Sequence, residues 1–235
     1  MYPVTLVSLG PGDPELITLK GLRTLQEADC IFCPETATRQ GAPACSRAAH
    51  ILAQLHIPDN KIERFHLPMS KDRQQAMAAY DQAFLQIRTL CADNRRVCIV
   101  AEGDAGLYAS IHYIYDRLHS EGYPVEQIPG IPAFIASGAR AGLHLVSQQQ
   151  RLTVIPGLAT TEDIEQLLGE GGTVVIMKLS QCTDEIHHCI RLHPEYTYQY
   201  FENVGTEQER LFTDPQTLAN LRFPYFSLMI IMANR

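Results

Sequence analysis

The chain has 235 residues, 46% of them apolar and 19% charged, and a formal net charge of −7. That balance excludes a disordered chain, no apolar run approaches the ~20 residues that span a bilayer, and the acidic excess disfavours nucleic acid as a partner. The opening MYPVTLVSLG has no secretory-signal pattern, and seven cysteines in a domain large enough to need no staples read as reduced thiols of a cytoplasmic protein.

Strand and helix patterns alternate from the first residues. Residues 4–9 form an apolar run that ends in Gly10-Pro11-Gly12-Asp13-Pro14, and 16–28 carries leucines at 16, 19, 22 and 25 on one helical face. A short strand at 30–33 follows. Ser46 is placed to cap a helix reaching residue 55, 62–67 is a strand, and 72–91 is a long amphipathic helix. Residues 97–101 read as a buried strand ending in Glu102-Gly103-Asp104. A helix over 107–120 stops at Gly122, and 125–128 completes the first half. This alternation implies βαβ units and a mostly parallel sheet.

Pro129-Gly130-Ile131-Pro132 is the strongest breaker in mid-chain, dividing an α/β domain over 1–128 from a second over 129–235. In the second, 131–144 is helical, 152–155 a strand, 161–168 a short helix and 173–177 a strand. A helix over 183–191, a strand over 196–201, an acidic turn at 207–210, a helix over 215–221 and a strand over 227–232 complete the chain.

Ligands of open α/β sheets sit beyond the carboxyl ends of the strands, and two such ends carry unusual loops. In Gly10–Glu15 the glycines permit close backbone approach, but Glu15 stands where a dinucleotide fingerprint needs its third glycine. The segment reads equally as a strand-to-helix turn or a binding loop. In Glu102–Tyr108, Asp104 is placed either to cap the next helix or to hold a hydroxyl or amino group. The Ile128–Pro132 turn could bracket a planar base, with Ile131 and Phe134 as apolar walls.

These loops occur together and in order. Val7-Ser8-Leu9-Gly10-Pro11-Gly12-Asp13-Pro14-Glu15-Leu16-Ile17-Thr18 followed by Lys20, then Gly103-Asp104, Ile128-Pro129-Gly130-Ile131, residues 173–178 and Phe226-Ser227-Leu228, resemble the successive motifs of the tetrapyrrole methylases over nearly the whole chain. The resemblance implies a two-domain α/β fold, each domain a mixed sheet flanked by helices, with the active site in the cleft between them. It implies S-adenosylmethionine as methyl donor, with Pro11, Gly103, Asp104, Leu107, Tyr108, Pro132, Ala133, Met177 and Ser227 near it. A cytoplasmic homodimer is implied in the same way.

Within the family the likeness is nearest to the branch that methylates C20 of precorrin-2 or of cobalt-factor II. It is carried by Glu102-Gly103-Asp104 through Tyr108-Ala109-Ser110, by 65–72 with Pro68-Met69, by the Met177-Lys178 end of its strand, and by Tyr225-Phe226-Ser227-Leu228. Ala105 departs from the family's common proline after Gly-Asp. Pro132 stands where a serine or threonine often follows Pro-Gly-Ile, which removes one hydroxyl from the loop.

Methyl transfer from a sulfonium to an electron-rich ring carbon is a direct displacement, so positioning, worth about 7–11 kcal/mol at most, carries most of the effect. No nucleophilic triad and no protein-bound metal are expected; cobalt, where present, belongs to the substrate ring. The ring's eight carboxylates call for cations: Arg39, Arg47, Lys71, Arg73 and Lys178, with Glu35 nearby, are the candidates. Glu35, Glu102, Asp104 and Tyr108 are the candidate proton acceptors, the last three as catalytic residues.

Two patterns are set aside. Cys30 and Cys33 would face opposite sides of a strand and so serve packing. Cys182, His187, His188, Cys189 and His193 match no zinc spacing and read as a helix face. Alternative readings are methylation of another tetrapyrrole such as uroporphyrinogen III, methylation of ribosomal RNA or an elongation-factor histidine, and a ligand-binding member of the fold without turnover.

Overall fold

The computed structural model describes residues 1–36, 46–67 and 73–233, Thr36 and Arg73 through their backbone only. The described residues form two compact units, Met1–Pro132 and Ala133–Arg235.

In the first unit β1 (Val4–Ser8), α1 (Leu19–Glu27), β2 (Cys30–Thr36), α2 (Arg47–Gln54), β3 (Ile62–Leu67), α3 (Arg73–Ala92), β4 (Val97–Ala101), α4 (His112–Ser120) and β5 (Val125–Ile128) follow in order. The sheet runs β3-β2-β4-β1-β5, and every pair is parallel. β1 and β4 are buried at all five positions, as strands covered on both faces must be.

One face packs Leu6, Phe32 and Ile99 against Phe84 of α3 and Leu118 of α4. The other packs Val7, Ile31 and Val100 against Leu25 of α1 and Leu52 of α2. Truncating a fully buried ring such as Phe84 to Ala costs about 3–5 kcal/mol. The crossover from β1 leaves toward β2 and that from β4 leaves toward β5, so the order reverses between β1 and β4. Loops beyond such a reversal are where open α/β sheets bind ligands.

Several helices are shorter than their apolar patterns. Asp13 caps a separate one-turn 3-10 helix, Pro14–Leu16, and α1 starts only after Thr18, whose hydroxyl accepts the Gly21 N–H at 3.1 Å. The pattern over 107–120 gives a helix only from His112, because Tyr108 is left-handed (φ 54°) and the Asp104 side chain bonds elsewhere than at a helix cap. β2 extends three residues past Cys33 because β3 pairs with it through Thr36.

The second unit comprises α5 (Ala133–Arg140), β6 (Leu152–Ile155), α6 (Thr161–Gly169), β7 (Thr173–Met177), α7 (Thr183–Leu192), β8 (Thr197–Glu202), β9 (Arg210–Phe212), α8 (Pro215–Leu218) and β10 (Ser227–Met232). Its sheet runs β6-β7-β10-β8-β9. Only β6 and β7 are parallel; the other pairs are antiparallel, so the mixture of strand directions is confined to this unit. α5 stops at Arg140 because the chain turns at Gly142 (φ 65°), well short of residue 144. Arg210, expected in a turn, begins an edge strand paired with Glu202. One core gathers Ile176, Ile186, Tyr198, Tyr200 and Met229 under α6–α8.

His193 closes this core at the end of α7. Its Nδ1 lies 2.9 Å from Glu195 Oε1, its Nε2 lies 2.7 Å from Glu165 Oε1, and its ring stacks on Tyr196 at 4.6 Å. Hydrogen bonds to Glu165 and Glu195 raise its pKa above the ordinary histidine value. A raised folded-state pKa contributes stability that is fully present below about 6.5 and is lost as pH rises through the folded value. The melting temperature of His193→Gln is therefore expected to fall furthest below wild type near pH 5.5 and to converge on it above pH 8; a gap that widens with pH would contradict the pairing.

Candidate active site

Three loops meet at the carboxyl end of the first sheet. Beyond β1 and β4, Gly10 and Gly103 exchange backbone hydrogen bonds of 3.1 and 2.6 Å. Ser8, the last residue of β1 and fully buried, donates its hydroxyl to the Ile128 carbonyl (2.7 Å) and accepts the Ala105 N–H (2.8 Å). Asp104 then completes the junction: its Oδ1 accepts the Gly106 N–H at 2.8 Å, and its Oδ2 accepts the Gly130 N–H at 2.7 Å. One carboxylate thus fastens the β5 loop to the β4 loop.

Gly130 is required by this closeness. A Cβ there would lie 2.5 Å from Ser8 Cβ and 2.6 Å from the Gly103 carbonyl oxygen, both held by backbone. At Gly103 (φ 67°) a Cβ would instead face open space. Tyr108, half exposed, follows in a left-handed conformation that costs a non-glycine residue about 1–2 kcal/mol. Pro11 is buried, while Leu107 and Pro132 are half-buried at the same strand ends.

Glu102 begins the β4 loop and points toward the first turn of α2. There it faces the Ala48 N–H and the Arg47 guanidinium. Burial raises its pKa above the usual carboxylate value, against the lowering effect of Arg47 and Ala48. Ser46 caps α2 through the Ala49 N–H (3.1 Å), donates to the Pro34 carbonyl (2.8 Å), and lies 3.4 Å from the Cys33 thiol. Burial pushes Cys33 up to about 11. Glu35, at the end of β2, pairs with Arg64 at 3.2 Å, and Arg64 also holds Asp59. Arg39 and Lys71, like Pro68 and Met69, lie outside the described residues. Arg73 opens α3 and is described through its backbone alone.

The remaining expected residues belong to the second unit. Ala133 begins α5. Met177 ends β7 opposite Leu228, and Lys178 follows in a left-handed conformation (φ 58°) with its N–H on the Ser227 carbonyl at 3.0 Å. The Lys178 ammonium lies 5.8 Å from the Tyr225 ring centroid. The Ser227 hydroxyl is buried and donates to the Pro224 carbonyl at 2.5 Å, so this residue presents backbone rather than hydroxyl to its loop.

Residues 3–220 match the family model of the Tetrapyrrole (Corrin/Porphyrin) Methylases. The chain belongs to that family. It is 28% identical over 233 residues to the Precorrin-2 C(20)-methyltransferase of Sinorhizobium sp, covering 96% of this chain and 93% of that one. It is 26% identical over 205 residues to the probable cobalt-precorrin-2 C(20)-methyltransferase of Methanocaldococcus jannaschii, covering 87% and 84%. The crystal structure of uroporphyrin-III C-methyl transferase from Thermus thermophilus in complex with S-adenosyl homocysteine shares the fold, with a TM-score of 0.66 at 20% identity over 98% of this chain and 92% of that one.

The patterns set aside occupy structural positions. Cys30 and Cys33 pack on opposite faces of the first sheet. Cys189 lies 3.7 Å from the Tyr198 hydroxyl, and His187 faces the Leu221 carbonyl at 3.0 Å. Among the described residues no three His, Cys, Asp or Glu side chains are grouped to hold a metal ion, and no helix is long and apolar enough to cross a membrane.

Sequence reasoning passed over Ser8. Its signal is a hydroxyl at the end of an otherwise apolar strand, directly before Leu9-Gly10-Pro11-Gly12. Because the neighbours of Gly130 cannot yield, Gly130→Ala is expected to destabilise the protein by about 1–3 kcal/mol in denaturant unfolding. An unchanged midpoint would mean that the loops are not in contact.

Proposed function

We propose that the protein transfers a methyl group from S-adenosylmethionine to C20 of precorrin-2 or its cobalt-containing counterpart, in cobalamin biosynthesis, as a cytoplasmic homodimer. The observation that carries this reading is the nearly end-to-end match to the C20-methyltransferase of Sinorhizobium sp, whose name specifies both ring and position.

The residues fit the donor. Among the described residues no atom lies within 4 Å of a Cβ built on Gly103, and each Asp104 oxygen has a second lone pair beyond its backbone bond, so the carboxylate can meet a cationic or hydroxylated ligand. S-adenosylmethionine supplies an electrophilic methyl group on a sulfonium. The Gly10–Gly103 and Asp104–Gly130 connections hold the surrounding backbone fixed, which limits reorganisation during an in-line displacement. Arg47 and Lys178 supply positive charge for the ring's carboxylates.

As the ring carbon bonds to the methyl carbon, its hydrogen must leave as a proton. Glu102 accepts it in this reading, and its raised pKa makes it a stronger base than an exposed carboxylate. Tyr108 walls the donor side.

Two experiments test the assignment. Labelled S-adenosylmethionine is incubated with precorrin-2 and, separately, with the cobalt-loaded ring. Label in a C20-methylated product is expected, whereas binding of the donor without transfer to either ring would leave only a ligand-binding role. In the second, wild-type turnover is expected to decline as pH falls through the raised Glu102 pKa. Glu102→Gln should lose that acid limb and about 10²–10⁴-fold in turnover while keeping donor affinity. An unchanged pH profile would remove Glu102 as the base.

Asp104→Ala is expected to weaken donor binding in calorimetry, since both loops it ties would move. Unchanged affinity in a folded variant would reject that role.

A further inference from the structure

A buried polar chain in the second unit links three strand ends. The Tyr200 ring is fully buried among Phe212 and Phe223, and its hydroxyl donates to Glu202 Oε2 at 2.8 Å. The same hydroxyl contacts the Ser227 side chain. Glu202 and Ser227 are direct partners across β8 and β10. Glu202 is largely enclosed, with its side chain 14% exposed, and Arg210 from β9 lies 3.9 Å from its carboxylate. Ser227 in turn holds Lys178 in its left-handed turn through a backbone bond. Tyr200 and Glu202 are thus joined by a hydrogen bond, Ser227 stands beside them as the cross-strand partner of Glu202, and the Ser227 carbonyl holds the Lys178 N–H, so one series of contacts runs from the buried phenol to the backbone of the half-buried Lys178.

The core alone does not require this arrangement. A Phe at position 200 would fill the same space, and a buried phenol needs a partner that a Phe does not. The carboxylate at the mouth of the series serves that hydroxyl and Asn203, whose Nδ2 lies 3.4 Å away. What the series adds is a fixed placement of the residue after β7. A lysine in a left-handed conformation is held there against a cost of about 1–2 kcal/mol, so the turn relaxes unless Ser227 stays in place.

We infer that Tyr200 and Glu202 are positioning residues that, through Ser227, aim Lys178 at a carboxylate of the tetrapyrrole substrate. This rests on the reading of Lys178 as a substrate-binding cation. Neither Tyr200 nor Glu202 touches the substrate; their effect passes through the Lys178 turn.

The test is a double-mutant cycle on the full chain, read as KM for precorrin-2, kcat, and melting temperature. Lys178→Ala is expected to raise KM about tenfold, the scale of one lost charge-assisted hydrogen bond. Tyr200→Phe is expected to raise KM about threefold to tenfold with kcat retained. In Tyr200→Phe/Lys178→Ala the effects should not multiply: the double variant should match Lys178→Ala within about twofold.

Multiplicative effects would assign Tyr200 a purely structural role and overturn the inference. An unchanged KM in Lys178→Ala would overturn it by removing the substrate contact, while leaving methyl transfer itself measurable. Should Tyr200→Phe fail to fold, Glu202→Gln takes its place in the cycle, with the same expected KM effect and the same non-additivity with Lys178→Ala.

Discussion

The site depends on two backbone N–H groups from different loops, at Gly106 and Gly130, that converge on the single carboxylate of Asp104. Parallel strands end in loops that the sheet itself leaves unconnected, since the ladder hydrogen bonds stop with the strands. The carboxylate supplies the missing connection, and hydrogen bonds to a charged group are worth more than neutral ones, about 1.5–3 kcal/mol each at most. Ser8 repeats the arrangement one layer deeper, taking an N–H from the β4 loop and giving a proton to the end of β5. With both in place, Gly130 sits too close to its neighbours for any side chain.

This architecture suits a reaction whose barrier is lowered by geometry. The polar groups of the β1, β4 and β5 loops are mostly turned toward one another, so what they offer a ligand is a rigid backbone outline with Asp104 at its rim. Two cations stand outside these loops: Arg47 at the start of α2, beside Glu102, and, in the second unit, Lys178 in the turn after β7. Arg64 pairs with Glu35 and Asp59.

Much of this was legible in the sequence where the signal was local. The strand bounds at 62–67, 97–101, 125–128, 152–155, 173–177 and 227–232 coincide with the observed strands, because each is a short segment, apolar or with apolar residues interleaved among polar ones, set between turns. Ser46 was recognisable as the cap of α2 for the same reason. What was not legible depended on distant partners. Residues 107–111 have a helical apolar pattern, yet the Asp104 side chain is drawn to Gly130, twenty-six residues away, and leaves no cap for a helix at 107. The antiparallel pairing of β10 with both β7 and β8 cannot be read from the strands themselves, since strand direction leaves no local mark in the sequence. β9 is three residues long and defined only by its partner. A hydroxyl at Ser227 can likewise be read from sequence, but not that the Pro224 carbonyl accepts it.

The thiol of Cys33 lies beside this site, within electrostatic reach of Glu102 and Glu35, and its pKa of about 11 reflects burial above all. At neutral pH about one such side chain in ten thousand is ionised, and it is the ionised sulfur that attacks alkylating agents. Enclosure behind Ser46 keeps the thiol chemically silent, and iodoacetamide should spare it for as long as the first unit stays folded.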